Sequence, residues 1–273
     1  VLFADEAWQL PHHLFDKVAS LAPVVVGVGD VGQLPPIEIG ANPWRGDPGY
    51  NPYRASGLAA QVWGQVARGL PVLLEVDGLE EAEAADVDLP LTQFVEELLD
   101  ELFTSGFALE KADYDEAGSP TGRVTAVRPG DESGDPLVTI LATRNQAVDD
   151  ATEAVARLRQ KHGLTSRDLI ASTVDSWQGQ TNGVTVALHP LTGTSGLDEF
   201  NSAFGRLAVT CTRATHGLLL VARPGLDQLL TEAPARPGTP FGEPGNRHLP
   251  RQTHQRILAT FTRGTVSLTR DGG

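Results

Sequence analysis

The chain of 273 residues has no methionine, a single cysteine and no long apolar run, and each absence closes off a class of protein. With Cys211 alone, neither an internal disulfide nor a cysteine-based zinc site can form, which fits a reducing, cytoplasmic setting. No stretch approaches the roughly 18 apolar residues that a membrane span needs. No basic segment followed by an apolar core marks a signal peptide. Basic residues are also scarce: 21 Lys and Arg stand against 35 Asp and Glu, for a formal charge of -14. That argues against a broad basic face for duplex nucleic acid, but leaves room for a narrow channel around a single strand. A translated chain needs a start, so the missing methionine means a processed first residue or a piece of a longer protein. The apolar run that opens the chain favours the piece.

What is present is a regular alternation. Short β-rich apolar runs are expected as strands at 1–4, 24–28, 72–76, 137–142, 169–174, 184–188 and 218–222, with helical patterns between most of them. Leu91, Phe94, Val95, Leu98, Leu99 and Leu102 recur at three- and four-residue steps and predict a helix over 91–103. A second is expected from about Gln146 to His162, with Gly163 placed to stop it. Strands alternating with helices imply a parallel sheet covered on both faces. Residues 40–57 form a loop rich in Gly, Pro and Asn, 112–135 a polar surface excursion, and the stretch after about Leu230 a tail or linker before a last short element.

Chemistry gathers at strand ends. The first apolar run meets Asp5 and Glu6, a pair that suits magnesium binding and water activation in nucleotide hydrolysis. "GDVGQLPP" after the second run would put Asp30 and Gln33 at the carboxyl edge of the same sheet, where parallel sheets bind ligands. "STVDSWQGQT" sets Thr173, Ser176, Gln178 and Gly179 on a strand-to-loop turn able to hydrogen-bond a phosphodiester backbone or relay nucleotide state. In "SAFGRLAVTCTRA", Arg206 and Arg213 lie seven apart on an expected helix and project toward one cleft. Trp44 and Arg45 mix an aromatic with a guanidinium, as stacking on unpaired bases requires; a packed loop is the equal alternative. Trp177 and Cys211 read as core, His216 as a helix-end residue, and His12 and His13 as surface residues at no metal-ligand spacing.

"DEAWQ", "GDVGQLPP", "STVDSWQGQ" and "RLAVTCTRATHGLLLVA" resemble, in order, motifs II, III, V and VI of superfamily 1 helicases, most closely the branch of UvrD-type and nonsense-mediated-decay helicases. The resemblance spans most of residues 1–222. It implies RecA-like P-loop NTPase sheets: a partial first domain over 1–70, a second over 71–230, and a tail with a short extra element over 231–273. It further implies an ATP-dependent helicase or translocase on single-stranded DNA or RNA, with ATP and Mg2+ as cofactors. On that reading Asp5 holds the magnesium, Glu6 activates water and Gln33 senses the terminal phosphate, with Asp30, Gln178 and Gly179 on the nucleotide side. Arg213 reaches the γ-phosphate from the second domain, while Arg206 either faces the same phosphate or packs the motif. Thr173, Ser176, Trp44 and Arg45 touch the strand.

Two family features have no counterpart. The G-x-x-x-x-G-K-[ST] phosphate loop does not occur, so an upstream portion carrying it is the expected partner, and this stretch alone should bind ATP poorly. No Lys or Arg occurs between Arg68 and Lys111, so the arginine that opens the second domain in relatives is missing, and Thr181 stands where a ribose-binding glutamate is common. A degenerate, non-catalytic binding or scaffold module derived from a helicase is therefore the alternative.

Overall fold

The computed structural model describes residues 1–5, 7, 17–18, 21–29, 71–82, 88–104, 106–117, 119–132, 134–192, 194, 196–197, 204–233 and 250–268. Two short strands, β1 (Leu2–Ala4) and β2 (Val25–Gly27), pair in parallel, with Ala4 opposite Gly27. The strands expected to carry motifs II and III are thus neighbours with level carboxyl ends. The apolar run at 1–4 suggested a covered strand, yet Val1 and Phe3 are exposed on a sheet that has two strands among the described residues.

The larger sheet has six strands, all parallel. In chain order they are β3 (Val72–Asp77), β6 (Val138–Ala142), β7 (Leu169–Thr173), β8 (Asn182–Leu188), β9 (Ala214–Ala222) and β10 (Thr262–Ser267). In space the order is β10-β3-β9-β8-β6-β7. Central strands read as continuous apolar runs because both faces are covered; all five residues of β6 are buried. One face carries α1 (Leu89–Thr104) and α2 (Asn145–His162), whose Leu91, Val95, Leu99, Val155 and Leu158 pack on Val76, Ile140, Val186 and Val221. The other carries α3 (Phe204–Thr212), α4 (Leu226–Glu232) and α5 (Pro250–Leu258), packed on Leu73, Leu141, Ala187 and Leu220. Each fully buried Leu contributes about 1.5–3 kcal/mol.

The helix ends follow local chemistry. Asp88 caps α1 by accepting the Leu91 amide at 3.1 Å. Gly163 ends α2 at φ 68°, the left-handed cap conformation expected of it, and Arg159, Lys161 and His162 complement the helix dipole there. The polar excursion holds an antiparallel hairpin of β4 (Leu109–Tyr114) and β5 (Pro120–Val127). Asp168 ties its base to the α2–β7 loop. Its carboxylate accepts the Gly130 amide at 2.8 Å, and the amide and hydroxyl of Thr165 at 2.7 and 2.8 Å. Burial works against that charge, but these bonds and Arg159 hold the pKa below the ordinary value. The short final element is α5 with β10, and β10 forms the sheet edge beside β3.

Candidate nucleotide and strand site

β7 ends at Thr173, and the chain then crosses the α3 face of the sheet to start β8 at Asn182. The turn over 174–181 is built from its own side chains. Thr173 Oγ1 donates to Ser176 Oγ at 2.8 Å and accepts the Ser176 amide at 3.0 Å. The Trp177 amide closes the turn on the Thr173 carbonyl at 3.0 Å. Gly179 sits at φ 76°, a left-handed conformation that a side chain would resist, and faces open space. Trp177 is 9% exposed, packs beneath α3, and donates Nε1–H to Asn182 Oδ1 at 3.0 Å. Asn182 Nδ2 donates onward to Thr185 Oγ1 at 2.9 Å. Trp177 is core, as expected, and so is Cys211, whose thiol burial keeps protonated by raising its pKa.

α3 lies over this turn and grips both ends of it. Arg206, in its first turn, forms a bidentate pair with Asp175, Nε to Oδ1 at 3.1 Å and Nη2 to Oδ2 at 3.2 Å. Arg213, just beyond its last turn, is 8% exposed. It donates Nε–H to the Val209 carbonyl at 3.2 Å, Nη1–H to the Gln180 carbonyl at 3.0 Å and Nη2–H to Thr212 Oγ1 at 2.8 Å. The Asn182 amide in turn donates to the Arg213 carbonyl at 3.1 Å. Seven residues at 1.5 Å rise separate the two arginines by about 10 Å along the axis, so they meet opposite ends of one turn rather than a single point.

The structure therefore brings Thr173, Ser176, Gln178, Gly179, Arg206 and Arg213 together around one turn and one helix. Asp5 stands exposed after β1, on the two-stranded sheet. Glu6, Asp30, Gln33, Trp44 and Arg45 lie outside the described residues. Asp175 and Asn182 were not singled out from the sequence. The signal was an acid inside a polar strand-to-loop turn with an arginine downstream to neutralise it. His216 is not a helix-end residue: β9 starts earlier than expected, and His216 lies in it, with Nε2 2.8 Å from the Glu110 carbonyl of the hairpin.

A further cleft opens where β6 and β8 end and their connections leave for opposite faces of the sheet, lined by Asp88, Thr143, Arg144, His189 and Thr192. Arg223 closes its side with a bidentate pair to Asp88 at 2.7 and 2.9 Å. Among the described residues no cluster of three metal-ligating side chains occurs.

Fold and site together define a mixed α/β protein with a six-stranded parallel sheet, compatible with a RecA-like arrangement. Among solved structures, the chain is similar to the C-terminal domain of a possible DNA helicase from Lactobacillus plantarum WCFS1. Identity is 12% and the TM-score 0.32, over 60% of this chain and 83% of that one. No protein-family model matches the chain, and no curated protein matches it. Among the described residues, no helix is long and apolar enough to cross a membrane.

Proposed function

We propose that this chain belongs to the motor of a superfamily 1-type helicase, which couples ATP hydrolysis to movement on single-stranded nucleic acid, DNA in the first instance. The observation that carries the reading is the joint placement of Arg206 in α3 and Arg213 just past its end over the turn at 174–181 of a parallel sheet. Thr173 and Ser176 stand at the carboxyl end of β7, where the Ser176 hydroxyl, held in place by Thr173, can turn to a phosphodiester backbone. At the other end of the turn, Arg213 would exchange its internal hydrogen bonds to meet a γ-phosphate brought up by a facing nucleotide-binding sheet. Asp5 would hold Mg2+, and Glu6 would orient water. The metal, when bound, supplies charge neutralisation at the phosphates.

The alternative of a non-catalytic binding module draws on one feature of the site. Arg213 is buried and donates to acceptors of its own fold, so reaching a phosphate requires exchange of those bonds. ATP hydrolysis by the chain joined to the phosphate-loop portion that the motor reading requires separates the two. A motor hydrolyses ATP faster when oligothymidylate is added. Glu6→Gln then abolishes turnover while leaving strand binding intact, and Arg213→Lys, which keeps charge but loses the planar fork, costs about 10³-fold or more in rate. Tight strand binding with no hydrolysis would establish the binding module instead.

A further inference from the structure

Asp175, Arg206, α3, Arg213, Gln180 and the Trp177–Asn182 bond close a ring: helix on one side, turn on the other, a polar link at each end. The pair at the Asp175 end is bidentate, with side chains only 17% and 30% exposed, so solvent screens it less than a surface ion pair. At the far end, the backbone that follows Gln180 is bound to the backbone of Arg213 through the Asn182 amide. Trp177, between them, is pinned by its indole N–H and by apolar packing. A ring tied at both ends and pinned in the middle moves as a unit, because neither end can shift without breaking a partly buried polar contact.

We infer that Asp175 is a positioning residue: by holding Arg206 it sets the turn over 174–181 against α3, and thereby sets where Arg213 presents its guanidinium. The inference rests on the reading of this turn as the strand contact and of Arg213 as the phosphate contact. It adds the route between them. A strand bound at Ser176 displaces the Asp175 end, and the ring delivers that displacement to Arg213 about 10 Å away.

Amide hydrogen exchange on the chain as it stands tests the coupling at its two ends. The Trp177 amide is bonded to the Thr173 carbonyl at 3.0 Å and the Asn182 amide to the Arg213 carbonyl at 3.1 Å. Asp175→Asn removes the charge at nearly constant size and is expected to speed exchange about tenfold at both amides, leaving those of β6 unchanged. Asp175→Glu, which restores the carboxylate, should bring both back to within about twofold of the parent. Arg206→Lys, which keeps charge without the fork, should fall between and carries the same test if Asp175→Asn does not fold. Faster exchange at Trp177 with Asn182 unchanged would overturn the inference. Adding oligothymidylate to the parent chain separates the premise from the coupling: protection should rise at both amides. No response, with both ends still loosened by Asp175→Asn, contradicts the strand reading and leaves the positioning role standing.

Discussion

The two faces of the six-stranded sheet are built by different means. On one, α1 and α2 are long, 16 and 18 residues, and bury regular apolar stripes. Their cross-links lie at or near the surface: Arg157 to Glu96 at 2.7 Å, Asp100 to Lys161 at 2.7 Å and, part-buried, Asp100 to His162 at 2.7 Å. On the other face the helices have nine, seven and nine residues, and polar groups enter the interior. Arg213, Asn182, Thr185, His189 and His254 are all buried. The first face is scaffold, where burial of Leu and Val does the stabilising. The second gives up some of that uniformity to hold a polar turn and two arginines in fixed places.

The largest contrast should come from truncating the scaffold. Leu99→Ala opens a cavity beneath α1, since Leu99 is 1% exposed, and should cost about 2–5 kcal/mol in urea unfolding. Exchange in the turn over 174–181 should change only through that global loss. Selective loosening of the turn would show that the faces are not separable.

Acid should tell the faces apart next. His189 is buried; its Nδ1 accepts the Leu191 amide at 3.1 Å, and its Nε2 has no hydrogen-bond partner among the described residues. Burial first, then the neighbouring His254 and Arg263, hold its pKa well below the ordinary histidine value. The unfolded chain therefore takes up a proton first as pH falls. Stability from this group is complete above about pH 6.5 and declines below it, by at most about 1.4 kcal/mol per pH unit for one proton. His189→Asn, which keeps an acceptor but does not titrate, should flatten that decline. An unchanged slope would place the sensitivity elsewhere.

The smallest effect belongs to the exposed ion pairs of the scaffold. Arg157→Ala should cost less than about 1 kcal/mol, since its side chain is 53% exposed. A larger loss would mean that these links hold the α1–α2 face together.

This contrast also explains what could be read from the amino acids. Leu91, Val95 and Leu99 announce α1 by spacing alone, and Gly163 marks the end of α2, because periodic burial and helix caps are local properties. Most of the hairpin over 109–127 was read as part of a polar surface excursion over 112–135, since seven of the eight β5 residues are exposed and no apolar alternation marks them. β10 joins the sheet beside a strand nearly two hundred residues earlier in the chain, a pairing that no local pattern encodes. Within the site, Arg206 and Arg213 stood out by residue type and spacing. Their partners did not: Asp175 and the Gln180 carbonyl acquire meaning only once α3 is laid across the turn.

The most direct measurement is binding of fluorescent oligothymidylate, against duplex DNA of equal length, to the parent chain and to the double variant Thr173→Val with Ser176→Ala. The account predicts a preference for the single strand, with a shallow salt dependence suited to local contacts on an acidic protein. It also predicts at least about fivefold weaker binding by the variant, as loss of two hydrogen-bonding hydroxyls implies. Equal affinity for both nucleic acids, or a variant that binds the single strand as tightly as the parent, would contradict it.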